Sequence, residues 1–291
     1  MTEQTIVSPS PDQSAVYGLQ DVSVIIVSVL GGNALERCRA AFTMAGECLV
    51  SERGSGSVPQ RRMAAVCAAK RPIVALIEDT VTPEPDWAHE AARMLSKQGV
   101  VGCAGPVCLS PNLSARSAAL ALADFGRFGL RHYHRLSTGV LIDESIVSTP
   151  VLPGCNMAFR RTALLAAMDP QDGFVDQDAF SALIENGGTL AMTPTMSVTY
   201  SKDHEQATGL TNRYEHGRIY ASRALEGRSP AARALAALRS LALPFVLTGR
   251  VARYRASLPV LGWALLQNGA WSLGELRGSL STRRHQTTHW S

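Results

Sequence analysis

The sequence has no CxxC pair, no internal repeat and no low-complexity tract, and its first twenty residues contain no apolar core segment. Without CxxC spacing, the common zinc and dithiol redox centres are excluded. The opening segment is polar, proline-containing and acidic rather than basic, so it reads as a flexible leader over residues 1–20 and not as a secretory signal. The "GSG" at residues 54–56 carries no lysine, which leaves it a weak phosphate-loop signal. No recognised nucleic-acid module is visible.

What is present is a chain able to build a large core. Its 291 residues are 46% hydrophobic, which excludes disorder as the dominant state. Cys38, Cys48, Cys67, Cys103, Cys108 and Cys155 are scattered, mostly in apolar runs, and read as reduced thiols of a cytosolic compartment. Charge is unevenly spread. Residues 1–212 hold sixteen Lys/Arg against twenty-one Asp/Glu, whereas residues 213–291 hold twelve arginines against three glutamates. A mildly acidic body therefore carries a strongly basic end, suited to meeting phosphate in a lipid headgroup, nucleic acid or ligand.

Residues 22–29, VSVIIVSV, form a run dominated by β-branched residues, the pattern of a strand buried on both faces. A Gly turn then enters a helix with Asn33 as candidate cap, followed by a strand at ECLVS, a helix at VPQRRMAAVCAAK and a strand at PIVALI. A helix at WAHEAARMLSKQG and one strand across VVGCAGPVCL come next. After a middle segment with a helix over 115–128, an extended stretch and a Pro-Gly turn lead into a helix near Thr162. Asp176 and Asp178 lie on a loop entering a helix that ends at Gly187-Gly188, and one last strand closes on His204. This alternation predicts a mainly parallel α/β sheet, with ligands at the carboxyl ends of its strands. Ser51, Glu52, Glu78 and Asp79 then share one rim.

The order of these elements over residues 22–278 resembles the inverting family 2 glycosyltransferases of GT-A fold. ALIEDTVTPEPDW is similar to their acidic strand-end motif, and LPGCNMAFRRTAL to their GxxxAFRRxAL segment. YEHGRIYASRA and WSLGELRGSL resemble motifs of a membrane-associated bacterial subgroup. The resemblance implies a GT-A catalytic domain over 21–212, a helical membrane-associated region over 213–280 and a flexible tail over 281–291. It implies a nucleotide-sugar donor, UDP- or GDP-linked, held by Ser28, Glu52, Arg61, Arg62, Glu78, Asp79, Gly154 and Asn156. It also implies Mg²⁺ or Mn²⁺ on Asp79, Glu78 and His204, because a departing diphosphate needs positive charge and these ions favour carboxylate oxygens. Asp176 would be the base that deprotonates an acceptor hydroxyl, with Asp178 as second acid.

The sequence departs from the family pattern at Ser51, Thr80, Val175 and Ala182, and the first three support an alternative: a catalytically degenerate relative that binds a nucleotide or a partner glycosyltransferase and serves as a scaffold. A nucleotidyltransferase ranks third, because no lysine-bearing triphosphate loop follows the first strand. For Asp176 and Asp178 the competing structural role is to favour a helix N-terminus. The basic end, rich in Arg, Leu, Phe, Tyr and Trp, suits a peripheral position on the cytoplasmic face of the inner membrane, where a lipid-linked or glycan acceptor would be presented. A full span over 256–274 is the second choice there, and a soluble helical hairpin is the competing one.

Overall fold

The computed structural model describes residues 15–52, 56–138, 141–143, 145–202 and 206–281. In chain order the strands are β1 (Val22–Val27), β2 (Glu47–Ser51), β3 (Ile73–Glu78), β4 (Val81–Pro83), β5 (Val100–Ala104), β6 (Val107–Leu109), β7 (Leu141–Asp143), β8 (Ile146–Ser148), β9 (Asn156–Arg160), β10 (Thr189–Met192) and β11 (Val198–Tyr200). The helices are α1 (Gly32–Ala40), α2 (Val58–Ala68), α3 (Trp87–Leu95), α4 (Ala115–Phe125), α5 (Arg161–Ala167), α6 (Asp176–Glu185), α7 (Gln206–Ala224), α8 (Pro230–Ser240), α9 (Leu243–Ala252) and α10 (Leu258–Leu280).

The β-branched run becomes β1, buried at every position, as a strand covered on both faces must be. Eight strands form the main sheet in the order β2-β1-β3-β9-β5-β10-β8-β7. The α/β architecture read from the sequence is the one built, with a helical C-terminal extension. Six strands run in one direction, while β8 and β9 run against them. β9 lies between β3 and β5 and runs against both. Asn156, the first residue of β9, pairs with Ile77 at the carboxyl end of β3, which brings Gly154 and Cys155 to the rim beside Glu78.

Three expectations need correction. The strand expected across VVGCAGPVCL is two strands. Gly105 lies against the Met196 backbone, where a side chain would not fit, and Pro106 has no N–H for a ladder, so the chain leaves the main sheet. It joins a second sheet of order β4-β11-β6. The last strand is likewise divided into β10 and β11 by a 3₁₀ turn at Pro194–Met196. Asn33 does not cap α1: the N-cap is Gly31, and the carboxylate that serves this helix start comes from Asp79.

The expected boundary at 212/213 falls inside α7. α10 packs along α7, where the Cα of Gly274 lies against the Tyr214 carbonyl and that of Gly278 against the Arg218 carbonyl, so neither position accommodates a larger residue. A small apolar cluster of Ala119, Val251, Val260 and Ala264 joins α9 and α10 to α4. The C-terminal helices are thus docked on the α/β body. Cys38, Cys103 and Cys155 are buried thiols, whereas Cys67 is exposed, and all six cysteines are unbridged.

Candidate functional site

The carboxyl ends of β1, β2 and β3 form the rim, and α2 leans over it. Ser57 starts α2 with a capping box to Gln60, which fixes the first turn and points the adjacent Arg61 and Arg62 inward. Both arginines are buried, at 8% and 6% exposure. Their partners are not on α2, so each is held by residues distant in sequence.

Arg61 donates through Nη1 to the carbonyls of Ser28, Ser51 and Glu52 at 3.2, 3.1 and 2.8 Å. It thereby ties the ends of β1 and β2 together. Arg62 donates to Glu78 Oε1 at 2.7 Å, Asp176 Oδ1 at 2.8 Å and the Gly154 carbonyl at 2.8 Å. Thr80 donates its hydroxyl to the other oxygen of Glu78 at 3.1 Å. The result is an arginine enclosed by two carboxylates and a carbonyl. Gly154 is required here, because a Cβ at this position would collide with the Asp176 carboxylate.

The Asp176 side chain is 34% exposed, and the partial desolvation it does suffer pushes its carboxyl above the usual aspartate range, although Arg62 pulls in the other direction. A base with a raised pKa is better matched to taking a proton near neutral pH. Asp176 opens α6 but spends its carboxylate on Arg62, not on capping, and no side-chain cap bond starts this helix. Cys155, buried between these groups, is held well above the ordinary thiol range by burial and by Glu78, which makes it a poor nucleophile. Burial, with Glu78 nearby, likewise raises the Tyr200 phenol.

Asp79 points elsewhere. It is 3% exposed and accepts from the backbone N–H groups of Val29, Leu30 and Gly31 and from the Ser28 hydroxyl, at 2.7 to 3.1 Å. The loop after β1 is therefore an anion nest already filled by the chain's own carboxylate. Asn156, implied to touch the donor, is also fully used. Its Oδ1 accepts from Trp87 Nε1 at 2.7 Å, and its Nδ2 donates to the carbonyls of Gly105 and Met196 at 3.0 Å.

These contacts test the implied metal set. Both oxygens of Asp79 are occupied by backbone donors, both oxygens of Glu78 are engaged by Arg62 and Thr80, and His204 lies outside the described residues. No group of three His, Cys, Asp or Glu able to hold a metal ion exists among the described residues. The residues that are present do not fit a divalent ion on Asp79 and Glu78 in this arrangement.

The structure brings together Glu78, Arg62, Gly154 and Asp176, and places Ser28 and Asp79 in an adjoining cluster. Asp178 stands apart, paired with Arg223 of α7 at 2.8 Å and more than half exposed. Along β2 and α2 lies an open cleft of about 930 Å³ lined by Ser51, Glu52, Gly56, Gln60, Arg61 and Gln171, among others; Glu78, Arg62 and Asp176 do not line it. Sequence reasoning missed the inward turn of Arg62 and the part played by Thr80. A signal for the first was present: two adjacent arginines on an apolar helix with no acid one turn away need counterions from elsewhere in the chain.

No family model matches this chain, and no curated protein matches it. Among solved structures, the chain is similar to GalNAc-T7 crystallised with UDP, GalNAc and Mn²⁺, at 10% identity over 64% of this chain and 44% of that one, with a TM-score of 0.44. It is also similar to a mycobacterial protein, at 10% identity over 72% of this chain and 78% of that one, with a TM-score of 0.41. The chain thus spans less than half the length of GalNAc-T7.

Proposed function

We propose that this protein is an inverting GT-A glycosyltransferase that moves a sugar from a UDP- or GDP-linked donor to a lipid-linked or cell-envelope acceptor. The observation that carries this reading is the convergence of Glu78, Arg62 and Asp176 at the carboxyl end of β3. A separate open cleft of about 930 Å³ along β2 and α2, lined by Glu52, Gln60 and Arg61 among others, has a size that suits a nucleotide-sugar. The paired acids suit the sugar hydroxyls, and Asp176 suits the proton of an attacking acceptor hydroxyl. In this role Asp176 takes that proton as the hydroxyl oxygen bonds to the anomeric carbon and the diphosphate leaves from the opposite face. Asp79 holds the loop after β1 in shape and does not touch the reacting atoms.

The second element of the proposal is a membrane surface. Leu235, Leu238, Phe245, Leu258, Leu266, Leu273 and Leu280 are exposed on α8, α9 and α10, and Leu241 on the link between α8 and α9, with Phe245 at 71% and Leu258 at 83%. Arg228, Arg239, Arg250, Arg253, Arg255 and Arg277 are exposed among them. Apolar anchors with an arginine fringe fit an anionic leaflet. Among the described residues no single helix is long and apolar enough to cross a membrane, while α8 and α9, bent by 52°, pass that test only as a broken pair. A peripheral position on the cytoplasmic leaflet is the reading this favours.

The test is donor turnover by the full chain with vesicles of anionic bacterial lipid present, compared with Asp176→Asn. The expected loss in kcat is about 10²- to 10⁴-fold, the usual worth of a positioned base. Because the Asp176 carboxyl is raised, it takes up its proton at a higher pH than an ordinary aspartate. The acid limb of the rate profile therefore falls at higher pH than for an unperturbed carboxylate, and Asp176→Asn removes that limb. A folded wild type that turns over no donor, and an Asp176→Asn variant that still recruits the same partner protein, would favour the scaffold reading.

A further inference from the structure

Arg62 sits where its chemistry is most unusual. Three oxygens from three separate elements converge on one guanidinium: Glu78 Oε1 from β3, Asp176 Oδ1 from α6 and the carbonyl of Gly154 before β9, all within 2.7 to 2.8 Å. Two carboxylates and a carbonyl are the donors that a hard divalent cation prefers. Here the cation is covalently part of the chain. Its side chain is 7% exposed, and its Nε is buried with no hydrogen-bond partner among the described residues. The cage is also tightly built. Gly154 leaves room for Asp176, and Thr80 fixes the outer oxygen of Glu78.

We propose that Arg62 is an internal substitute for a divalent ion, filling a three-oxygen cage between β3, β9 and α6 so that the rim binds its ligand without added metal. Arginine suits this role because its charge is permanent and its planar fork reaches several oxygens at once. Guanidinium and divalent metal cannot share the same oxygens, so the one excludes the other. Burial disfavours the charge on Arg62, and Asp176 and Glu78 outweigh it, so the same ion pairs keep the guanidinium charged and the two acids in place.

The occupancy of the cage is independent of what the rim binds. Its consequence for a diphosphate rests on the nucleotide-sugar reading, and the two are measured separately. In the first measurement, Mn²⁺ is titrated into the full chain and followed by the loss of the free-ion electron paramagnetic resonance signal. Wild type and Arg62→Lys are expected to leave the signal unchanged, whereas folded Arg62→Ala, with its oxygens released, binds Mn²⁺ at least on the order of tenfold more tightly than wild type. Saturable Mn²⁺ binding by wild type that is lost in Glu78→Gln overturns the proposal, even should Arg62→Ala not fold. A folded Arg62→Ala that binds no Mn²⁺ also overturns it.

In the second measurement, UDP and GDP are titrated calorimetrically with chelator or with Mn²⁺ present. Equal affinity under both conditions supports the proposal, and binding that requires Mn²⁺ overturns it. Absence of nucleotide binding under both conditions contradicts the nucleotide-sugar reading while the Mn²⁺ result still decides the occupancy of the cage.

Discussion

The rim of the sheet and the outer face of the C-terminal helices treat charge in opposite ways. On the rim, Glu78 and Asp176 share Arg62, and Asp79 is enclosed by backbone N–H groups. On α8 to α10, arginines and large apolar side chains both face outward. A buried charge is costly unless paired, so the rim must satisfy its ions internally and becomes rigid. An exposed arginine has no such requirement. It keeps its charge for an external surface. The difference separates a site whose geometry is set by the chain from one whose partner lies outside it.

The largest effect is expected where the internal pairing is broken. Arg62→Ala leaves two carboxylates facing each other at the rim and should cost about 3–5 kcal/mol, measured by urea unfolding. Arg62→Lys should recover part of that loss, because it restores the charge but not the fork. Asp79→Ala comes next. It strands the N–H groups of Val29, Leu30 and Gly31, and a loss of about 2–3 kcal/mol is expected by the same measurement. Mn²⁺ should leave the Asp79→Ala result unchanged and restore part of the stability of Arg62→Ala, whose released oxygens it binds.

On the outer face the same kind of change should leave the fold alone. Leu241→Glu with Phe245→Glu is expected to change unfolding stability by less than about 1 kcal/mol, since both side chains are already exposed. Flotation with anionic vesicles should fall several-fold in that variant, and zwitterionic vesicles should bind wild type weakly. Binding that survives the double substitution would remove the membrane surface from the account. The smallest effect is expected at Arg223→Ala. Its partner Asp178 is 57% exposed, so the pair contributes about 0–1 kcal/mol. Asp178→Asn should likewise leave donor turnover close to wild type, which separates it from Asp176.

How far the sequence anticipates this contrast depends on the element. β1 and β3 are continuous apolar runs, and a run buried on both faces has few alternatives to a central strand. The helices over 58–68 and 87–95 are legible in VPQRRMAAVCAAK and, after the prolines before Trp87, in WAHEAARMLSKQG. The reversal of β9 is invisible at that level, because strand direction is set by which distant strands it inserts between and not by its own residue pattern. The short β4 is missed because three residues carry too little pattern to be distinguished from loop, whereas β6 reads as the end of one longer strand because the break at Gly105-Pro106 sits inside an apolar run.

Within the site, the residue types are legible and their pairings are not. Glu78 and Asp79 are adjacent in sequence yet point into different clusters, as neighbours on a strand end do. Asp79 reads as a ligand for a metal but finds four donors in its own chain. Arg62 reads as a solvated or phosphate-facing residue but is enclosed by acids sixteen and 114 positions away. Such choices are made by three-dimensional proximity, which periodicity does not encode.

The most direct test of the account is calorimetric titration of UDP and GDP and their sugar conjugates into the full-length protein, with chelator present. The account predicts saturable one-to-one binding of one nucleotide class, unchanged by added Mn²⁺ and weakened by substitutions at Glu52 or Gln60 in the cleft. A folded protein that binds none of these compounds, with or without Mn²⁺, would contradict it.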